Sequence, residues 1–440
     1  MKILLPKDSA VWIPLTLQTS EEELLLIQRA SSEFLYDENG EEYIDGVASW
    51  WTSIHGHCHP KIISAILKQA KTLDHVMLAG FLHEPAESLA KKLISLSGNI
   101  FKKVFYSDNG SNAVEIALKI AVQYYQNRSK NGNQKTKFIT FSESYHGDSI
   151  GAMNVSGITY FNRIFVSLRF PTKEYRAPNC KVCPWGKEPV SCQVECLDDL
   201  EEEFKKNATA YAGIVIEPLV FGASGMIFFD SKVLLKLKSL STEYDVLLIL
   251  DEVFTGMGRT GNAFAFQTAN IKPDLVAMAK GLTGGTLSLA ATLVSEKVYE
   301  AFLKDDPYAH FFHAHTMTGN PIACAAGIAS VELYVSEGWK QVELLSIRLQ
   351  HHLNTLQSLF PDKVKNPRVL GAIAAFELSQ SIADDEYLNP IGKRLKAELL
   401  KQKVLLRPLG STVYVTPSYG IQEGSLDRIF LGLQRALPIL

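Results

Sequence analysis

Two ionisable residues stand at the ends of apolar runs, and together they suggest amine chemistry. Val246-Leu247-Leu248-Ile249-Leu250 runs into Asp251-Glu252, and Leu275-Val276-Ala277-Met278-Ala279 runs into Lys280. Between them lies a glycine-rich turn, Thr255-Gly256-Met257-Gly258-Arg259-Thr260-Gly261. Short apolar runs of this kind read as buried strands, and open α/β sheets gather their ligands at the carboxyl ends of strands. A lysine beside such a core has its ammonium form disfavoured, which lowers its pKa and makes the amine nucleophilic. Such an amine forms a Schiff base with an aldehyde. Pyridoxal phosphate carries one, and its ring nitrogen stays protonated beside a carboxylate, a place that Asp251 would fill. The plainer reading is a lysine that pairs with a carboxylate or snorkels to the surface.

Other residues fall where an anion or a planar ring could be held. Asn109-Gly110-Ser111-Asn112 lies between a strand signal at 103–107 and a helical period at 113–125. A Gly-Ser turn at a helix N-terminus offers backbone N–H groups and a hydroxyl to a phosphate; an ordinary Asn cap has the same look. Tyr145, in Tyr145-His146-Gly147 after the strand 138–141, is placed to stack on a ring or to pack in a loop. Trp50-Trp51, followed by His55, His57 and His59, forms a pocket wall or core. Alternating histidines on a strand would suit a metal, but no carboxylate or cysteine set completes them, so the pocket wall is preferred. Glu217-Pro218 closes another apolar run, 213–217. Arg407, amid apolar residues, clamps a substrate carboxylate or makes an internal salt bridge.

Strands alternate with helices from about 100 to 295, which predicts an open, mostly parallel sheet with helices on both faces. Upstream, 34–46 reads as a hairpin turning at Asn39-Gly40, and 61–71 and 86–96 as amphipathic helices. Helices are also expected at 231–244 and 322–336, and a strand at 290–294. Beyond 366 the segments 372–377, 404–407 and 413–416 alternate with helical stretches, as in a smaller α+β domain. The resulting division is an N-terminal segment 1–60, a large domain 61–335 and a small domain 336–440. A chain of 440 residues, 46% hydrophobic and 21% charged, suits such a two-domain globular protein. A net charge of −3 gives no reason to expect nucleic acid or membrane partners. Residues 1–9 hold no export-type apolar segment and no run reaches membrane-spanning length, so a cytoplasmic protein is expected. Cys180, Cys183, Cys192 and Cys196, around a loop at 184–189, have the spacing of a zinc site or are simply reduced thiols. The first alternative would make the chain a zinc-stabilised binding protein rather than an enzyme.

Asp251-Glu252-Val253 with Gly256 to Gly261, then Lys280-Gly281-Leu282, resemble the class III pyridoxal-phosphate aminotransferases of the aspartate-aminotransferase fold (fold type I). Asn109-Gly110-Ser111, Tyr145-His146-Gly147 and Thr316-Met317-Thr318-Gly319-Asn320-Pro321 agree in the same order. The resemblance covers nearly the whole chain. It implies that Lys280 binds pyridoxal phosphate covalently and moves the proton, that Asp251 pairs with the ring nitrogen and that Tyr145 stacks on the ring. Gly110 and Ser111 would hold the phosphate, joined by Thr316 from the other subunit of a homodimer with shared sites, and His315 would be a further cofactor-binding residue. It further implies that Trp50, Tyr145, Ala314 and Arg407 face the substrate, and that no metal is needed, since similar cysteine loops occur in relatives without zinc. Ser49-Trp50-Trp51 and Leu406-Arg407-Pro408 resemble the branch serving biotin synthesis. That branch transfers an amino group to 8-amino-7-oxononanoate, giving 7,8-diaminononanoate, with S-adenosylmethionine or, as a variant, lysine as donor. Two departures bear on the donor: Leu15 stands where the branch has a tyrosine, and Phe221 where it has a glutamine. The competing readings are another class III transaminase of ω-amino acids or diamines, and an aminomutase.

Overall fold

The central apolar runs are buried on both faces, and that is why they read as unbroken rather than alternating. In a computed structural model describing residues 5–129, 135–159, 161–180, 183–188, 190–379 and 389–440, they form one seven-stranded sheet. Its strands are β4 (Phe101–Ser107), β5 (Lys137–Phe141), β6 (Lys173–Tyr175), β7 (Tyr211–Ile216), β10 (Leu247–Asp251), β11 (Leu275–Met278) and β12 (Ala290–Ser295). They lie in the order β4-β12-β11-β10-β7-β5-β6. β5, β6, β7, β10 and β11 run parallel, and β12 is antiparallel to both of its neighbours. The expected mostly parallel α/β sheet is the one observed.

Three smaller sheets surround it. β1 (Ile27–Ser31), β2 (Phe34–Asp37) and β3 (Glu42–Asp45) form an antiparallel meander, and β15 (Val404–Leu405) adds to β3 in parallel. The β2–β3 turn holds Gly40 at φ +80, as the Asn-Gly pair predicts. β13 (Val364–Leu370), β14 (Ile373–Leu378) and β16 (Thr412–Val415) form an antiparallel sheet, and β8 (Val220–Phe221) with β9 (Ile227–Phe228) a short hairpin. The two ends of the chain therefore meet in one sheet, through residues 27–45 and 404–405.

The helices begin on side-chain caps that the sequence displays. His59, Asn320 and Asn389 each cap a helix that starts with proline, and Asn109 accepts from Asn112 N at 3.0 Å. The helix Gly110–Arg128 starts three residues earlier than its apolar period suggests, so Gly110 and Ser111 are first-turn residues rather than a preceding loop. The helix expected to end at 336 instead passes from Pro321–Leu333 through a π-helical turn, Tyr334–Gly338, into Trp339–Leu359. Gly338 does not stop it, because the next turn buries Val342 and Leu345.

The β13–β14 turn docks directly on the glycine-rich loop. Ala372 N donates to Arg259 O at 2.9 Å, and Gly371 sits at φ +55. A Cβ on Gly371 would lie 2.4 Å from Gly261 N and 2.5 Å from Thr260 C, both backbone atoms that cannot step aside. Gly371→Ala is expected to lower the unfolding free energy by at least about 2 kcal/mol, combining left-handed strain with overpacking. Gly40→Ala, at a positive φ with open space around it, is expected to cost about 1 kcal/mol. Chemical denaturation of the two variants side by side checks the difference.

Candidate active site

The parallel strands deliver their polar residues to one place. A cavity of about 540 Å³ opens at their carboxyl ends, lined by Asp108 to Ser111, Tyr145 to Gly147, Glu217, Asp251, Lys280 and Trp51, among others. Lys280, Asp251, Gly110, Ser111 and Tyr145, singled out separately in the sequence, are thus brought together. Asp251 ends β10 and is buried; its Oδ2 lies 2.7 Å from His146 Nδ1, and its Oδ1 accepts from Val253 N at 2.9 Å. His146, which the sequence reading left without a role, is the buried partner that fixes this carboxylate. Its Nε2 has no hydrogen-bond partner among the described residues.

Glu217 is the second buried carboxyl. Its oxygens accept from Tyr145 N and Gly222 N, both at 3.0 Å. Burial pushes its pKa up to about 7; Asp251 adds to the rise, while His146 and the two N–H donors oppose it. Lys280 follows β11 at φ +40, with Nζ 4.9 Å from the centre of the Trp51 ring. Burial lowers its pKa, against the pull of Asp251 and Glu217. Neither carboxylate makes an ion pair with it among the described residues.

On the opposite wall, the first turn of the helix Gly110–Arg128 presents the N–H groups of Gly110 and Ser111. The floor is close-fitting. A Cβ on Gly110 would meet Val253 at 2.7 Å, and one on Gly147 would fall 1.8 Å from Ser111 Oγ. Ser111 Oγ accepts from Asp148 N at 3.2 Å, and Tyr145 OH donates to Asp148 Oδ2 at 2.8 Å.

Trp50 and Trp51 part company at a left-handed turn. Ala48, Ser49, Trp50 and Trp51 have φ of 47, 44, 66 and 75°, each costing roughly 1–2 kcal/mol against a right-handed residue. Trp51 is buried and forms cavity wall; Trp50 is 43% exposed, lies outside the lining and meets Arg407, whose guanidinium carbon is 4.0 Å from the Trp50 ring centre. Arg407 has no ion pair among the described residues. Ala314 and Thr316 are exposed and outside the cavity, while His315 Nε2 lies 2.7 Å from Asp108 Oδ1 in an ion-pair contact. Leu15 is exposed, and Phe221 is wholly buried against Phe229, so neither lines the cavity.

His55 contacts Ser330 Oγ, His57 the Asp45 carboxylate, and His59 caps a helix, so the histidine run is not a strand with a shared ligand. Cys180, Cys183, Cys192 and Cys196 line a separate cavity of about 260 Å³. Lys181, Val182 and Pro189, within that cysteine segment, lie outside the described residues. Among the described residues no group of three or more His, Cys, Asp or Glu is arranged to hold a metal ion.

The family model described as "Aminotransferase class-III" matches residues 16–437. The chain belongs to the class III aminotransferases. It is 39% identical over 435 residues to an adenosylmethionine-8-amino-7-oxononanoate aminotransferase of Geobacter sulfurreducens, covering 97% of this chain and 95% of that one. A protein of the same name from Aquifex aeolicus is 36% identical, covering 98% and 95%. Among solved structures, the enzyme of that name from Methanocaldococcus jannaschii superposes with a TM-score of 0.87 at 32% identity, covering 97% of each chain. A PLP-bound amine transaminase from an uncultivated Pseudomonas species gives 0.91 at 26% identity, covering 98% of this class III chain and 99% of that one.

The buried Glu217 makes a pH-dependent contribution to stability. Its pKa is higher folded (about 7) than the ordinary 4.5, so that contribution is complete below about pH 4.5 and lost as the pH rises through 7. The unfolding free energy of the parent minus that of Glu217→Gln is expected to fall across this window, by up to about 1.4 kcal/mol per pH unit. Urea denaturation of the cofactor-free proteins at a series of pH values measures it; a difference independent of pH refutes it.

Proposed function

We propose that this class III aminotransferase is a cytoplasmic homodimer that binds pyridoxal 5′-phosphate and aminates 8-amino-7-oxononanoate to 7,8-diaminononanoate, with S-adenosylmethionine as donor. The cavity's residues fit the cofactor. The N–H groups of Gly110 and Ser111, with the Ser111 hydroxyl, suit a phosphate at a helix N-terminus. The glycine at 147 leaves room beside them that any side chain would fill. Asp251, held by His146, is the carboxylate for a protonated ring nitrogen, and Tyr145 offers the aromatic wall. Bound there, pyridoxal phosphate supplies an aldehyde for the Lys280 amine and a ring that takes up the electron pair of the cleaved C–H bond.

The chain's own residues do the rest. Lys280, its pKa lowered by burial, would hold the cofactor through its amine and would move the proton at the reacting carbon. His146 holds the Asp251 carboxylate in place. Arg407 binds the carboxylate of the oxononanoate, and its lack of a carboxylate partner among the described residues, with its guanidinium over Trp50, is the observation that carries the acceptor assignment. The names of the relatives support the same substrate. Exposure of Ala314 and Thr316, and of Trp12, Phe81, Leu82 and Phe312, supports a second copy that completes each site. The division at about 60 and 336 accords with the chain ends meeting in the β1–β2–β3–β15 sheet.

The likeness to the amine transaminase favours a second reading, a class III transaminase of ω-amino acids or diamines. A donor panel separates the two. S-adenosylmethionine, lysine and simple ω-amino acids are offered singly to the loaded protein, and loss of the bound cofactor's visible absorbance is followed. S-adenosylmethionine is expected to convert it; conversion by an ω-amino acid alone sinks the biotin assignment, and turnover with no donor points to an aminomutase. Lys280→Ala is expected to lower turnover by at least about 10²–10⁴-fold while the far-ultraviolet circular dichroism stays unchanged. Near-parent turnover in that variant sinks the mechanism.

A further inference from the structure

We infer that Asp45 is a positioning residue for the substrate side of the site: its carboxylate holds the left-handed turn that sends Trp50 to Arg407. The inference rests on the reading of Arg407 as the group that binds the acceptor's carboxylate. The juxtaposition starts in the sheet. β3 and β15 run parallel in register, Ile44 beside Val404 and Asp45 beside Leu405. Both strands then leave the same edge in the same direction, one towards Trp50 and the other towards Arg407. They leave in contact: Gly46 N donates to Leu405 O at 3.0 Å, and a Cβ on Gly46 would lie 2.5 Å from Leu406 Cδ2.

The turn that follows is closed by backbone bonds from Trp51 N to Val47 O and from Thr52 N to Ala48 O, both at 2.8 Å, but in an unfavourable handedness. Four successive non-glycine residues, Ala48 to Trp51, adopt a handedness that their Cβ atoms oppose. Something must over-determine it, and Asp45 supplies the ties. Its Oδ1 accepts from Val47 N at 3.2 Å; its Oδ2 accepts from Ser49 N at 2.6 Å and Ser49 Oγ at 2.9 Å, and lies 2.8 Å from His57 Nε2. The carboxylate is 3% exposed, so water cannot replace these partners. Adjacent side chains in a helical turn point about 100° apart, so with the turn held in place the two tryptophans reach different neighbours. The Trp50 ring meets the Arg407 guanidinium at 4.0 Å, and the Trp51 ring meets Lys280 Nζ at 4.9 Å. Stacking on an indole face fixes a guanidinium's plane and leaves its N–H fork free for a carboxylate.

The test uses the full-length, cofactor-loaded protein. Asp45→Asn keeps the size of the side chain but turns an NH₂ or a weaker acceptor towards these donors; Ser49→Ala removes one tie and leaves the buried carboxylate intact. Each is made with and without Trp50→Phe, so that the fluorescence of Trp50 is isolated by difference, and with and without Arg407→Ala. In Asp45→Asn the Trp50 emission is expected to shift, and KM for the oxononanoate to rise about 10- to 100-fold while the donor half-reaction stays within about twofold. Ser49→Ala is expected to do the same more weakly, and it decides the matter if Asp45→Asn does not fold. In the Arg407→Ala background Asp45→Asn is expected to add nothing further to KM. An unchanged Trp50 emission in both variants overturns the inference, as does equal damage to both half-reactions. If Arg407→Ala itself leaves KM unchanged, the reading of Arg407 fails, and the Trp50 emission alone decides whether Asp45 holds the turn.

Discussion

A sheet covered on both faces has room for charge only at its ends, and this constraint organises the molecule. Along β7, β10 and β11 every residue is buried, and the polar side chains appear where each strand stops: Glu217 just past β7, Asp251 at the end of β10, Lys280 two residues past β11. Parallel pairing brings those ends to the same edge. Two carboxyls and an amine are thereby confined together with little water, and each alters the others: Asp251 raises the pKa of Glu217, and both work against the effect of burial on Lys280. His146 keeps the arrangement tolerable by giving one Asp251 oxygen a partner.

Much of this was legible because it is local. Continuous apolar runs ending in Asp251 and Lys280 describe two-sided burial, and Asn109 and Asn320 mark helix starts through hydrogen bonds within a few residues of themselves. What could not be read depends on contacts between distant segments. The antiparallel entry of β12 has the same apolar sequence as a parallel strand, since burial on two faces is indifferent to direction. The role of His146 becomes visible only once β5 and β10 are known to end at the same edge of the sheet, with β7 between them. Trp50 and Trp51 looked like one aromatic feature, and the left-handed turn that carries them is tied to the Asp45 carboxylate, on a strand paired with one more than three hundred residues away. Leu15 and Phe221, the two departures from the pattern of the biotin branch, are exposed and wholly buried, respectively, in this chain.

The small sheets meet the large one through the glycine-rich loop after β10. Gly371 rests on the backbone of that loop. Arg259, buried, donates to Pro417 O and Ala372 O, so one guanidinium joins the loop beside Asp251 to two segments of the C-terminal region. Within the β1–β2–β3–β15 sheet, Gly46 packs on Leu405 and Leu406 at the start of the segment that carries Arg407. The position of Arg407 relative to Lys280 is therefore set by backbone packing together with one buried side chain.

The π-helical turn at Tyr334–Gly338 has a different kind of consequence. Such a turn closes on one residue more than an α-helical turn, so it takes up an extra residue without rotating the helix that follows. Val342, Leu345, Leu349, Leu353 and Leu356 are buried beyond it. Removing one residue at the turn would therefore leave this apolar stripe facing the core, whereas removing one from within Trp339–Leu359 would rotate everything beyond the cut by about 100°. The irregular turn is the place where this long helix tolerates a change of length.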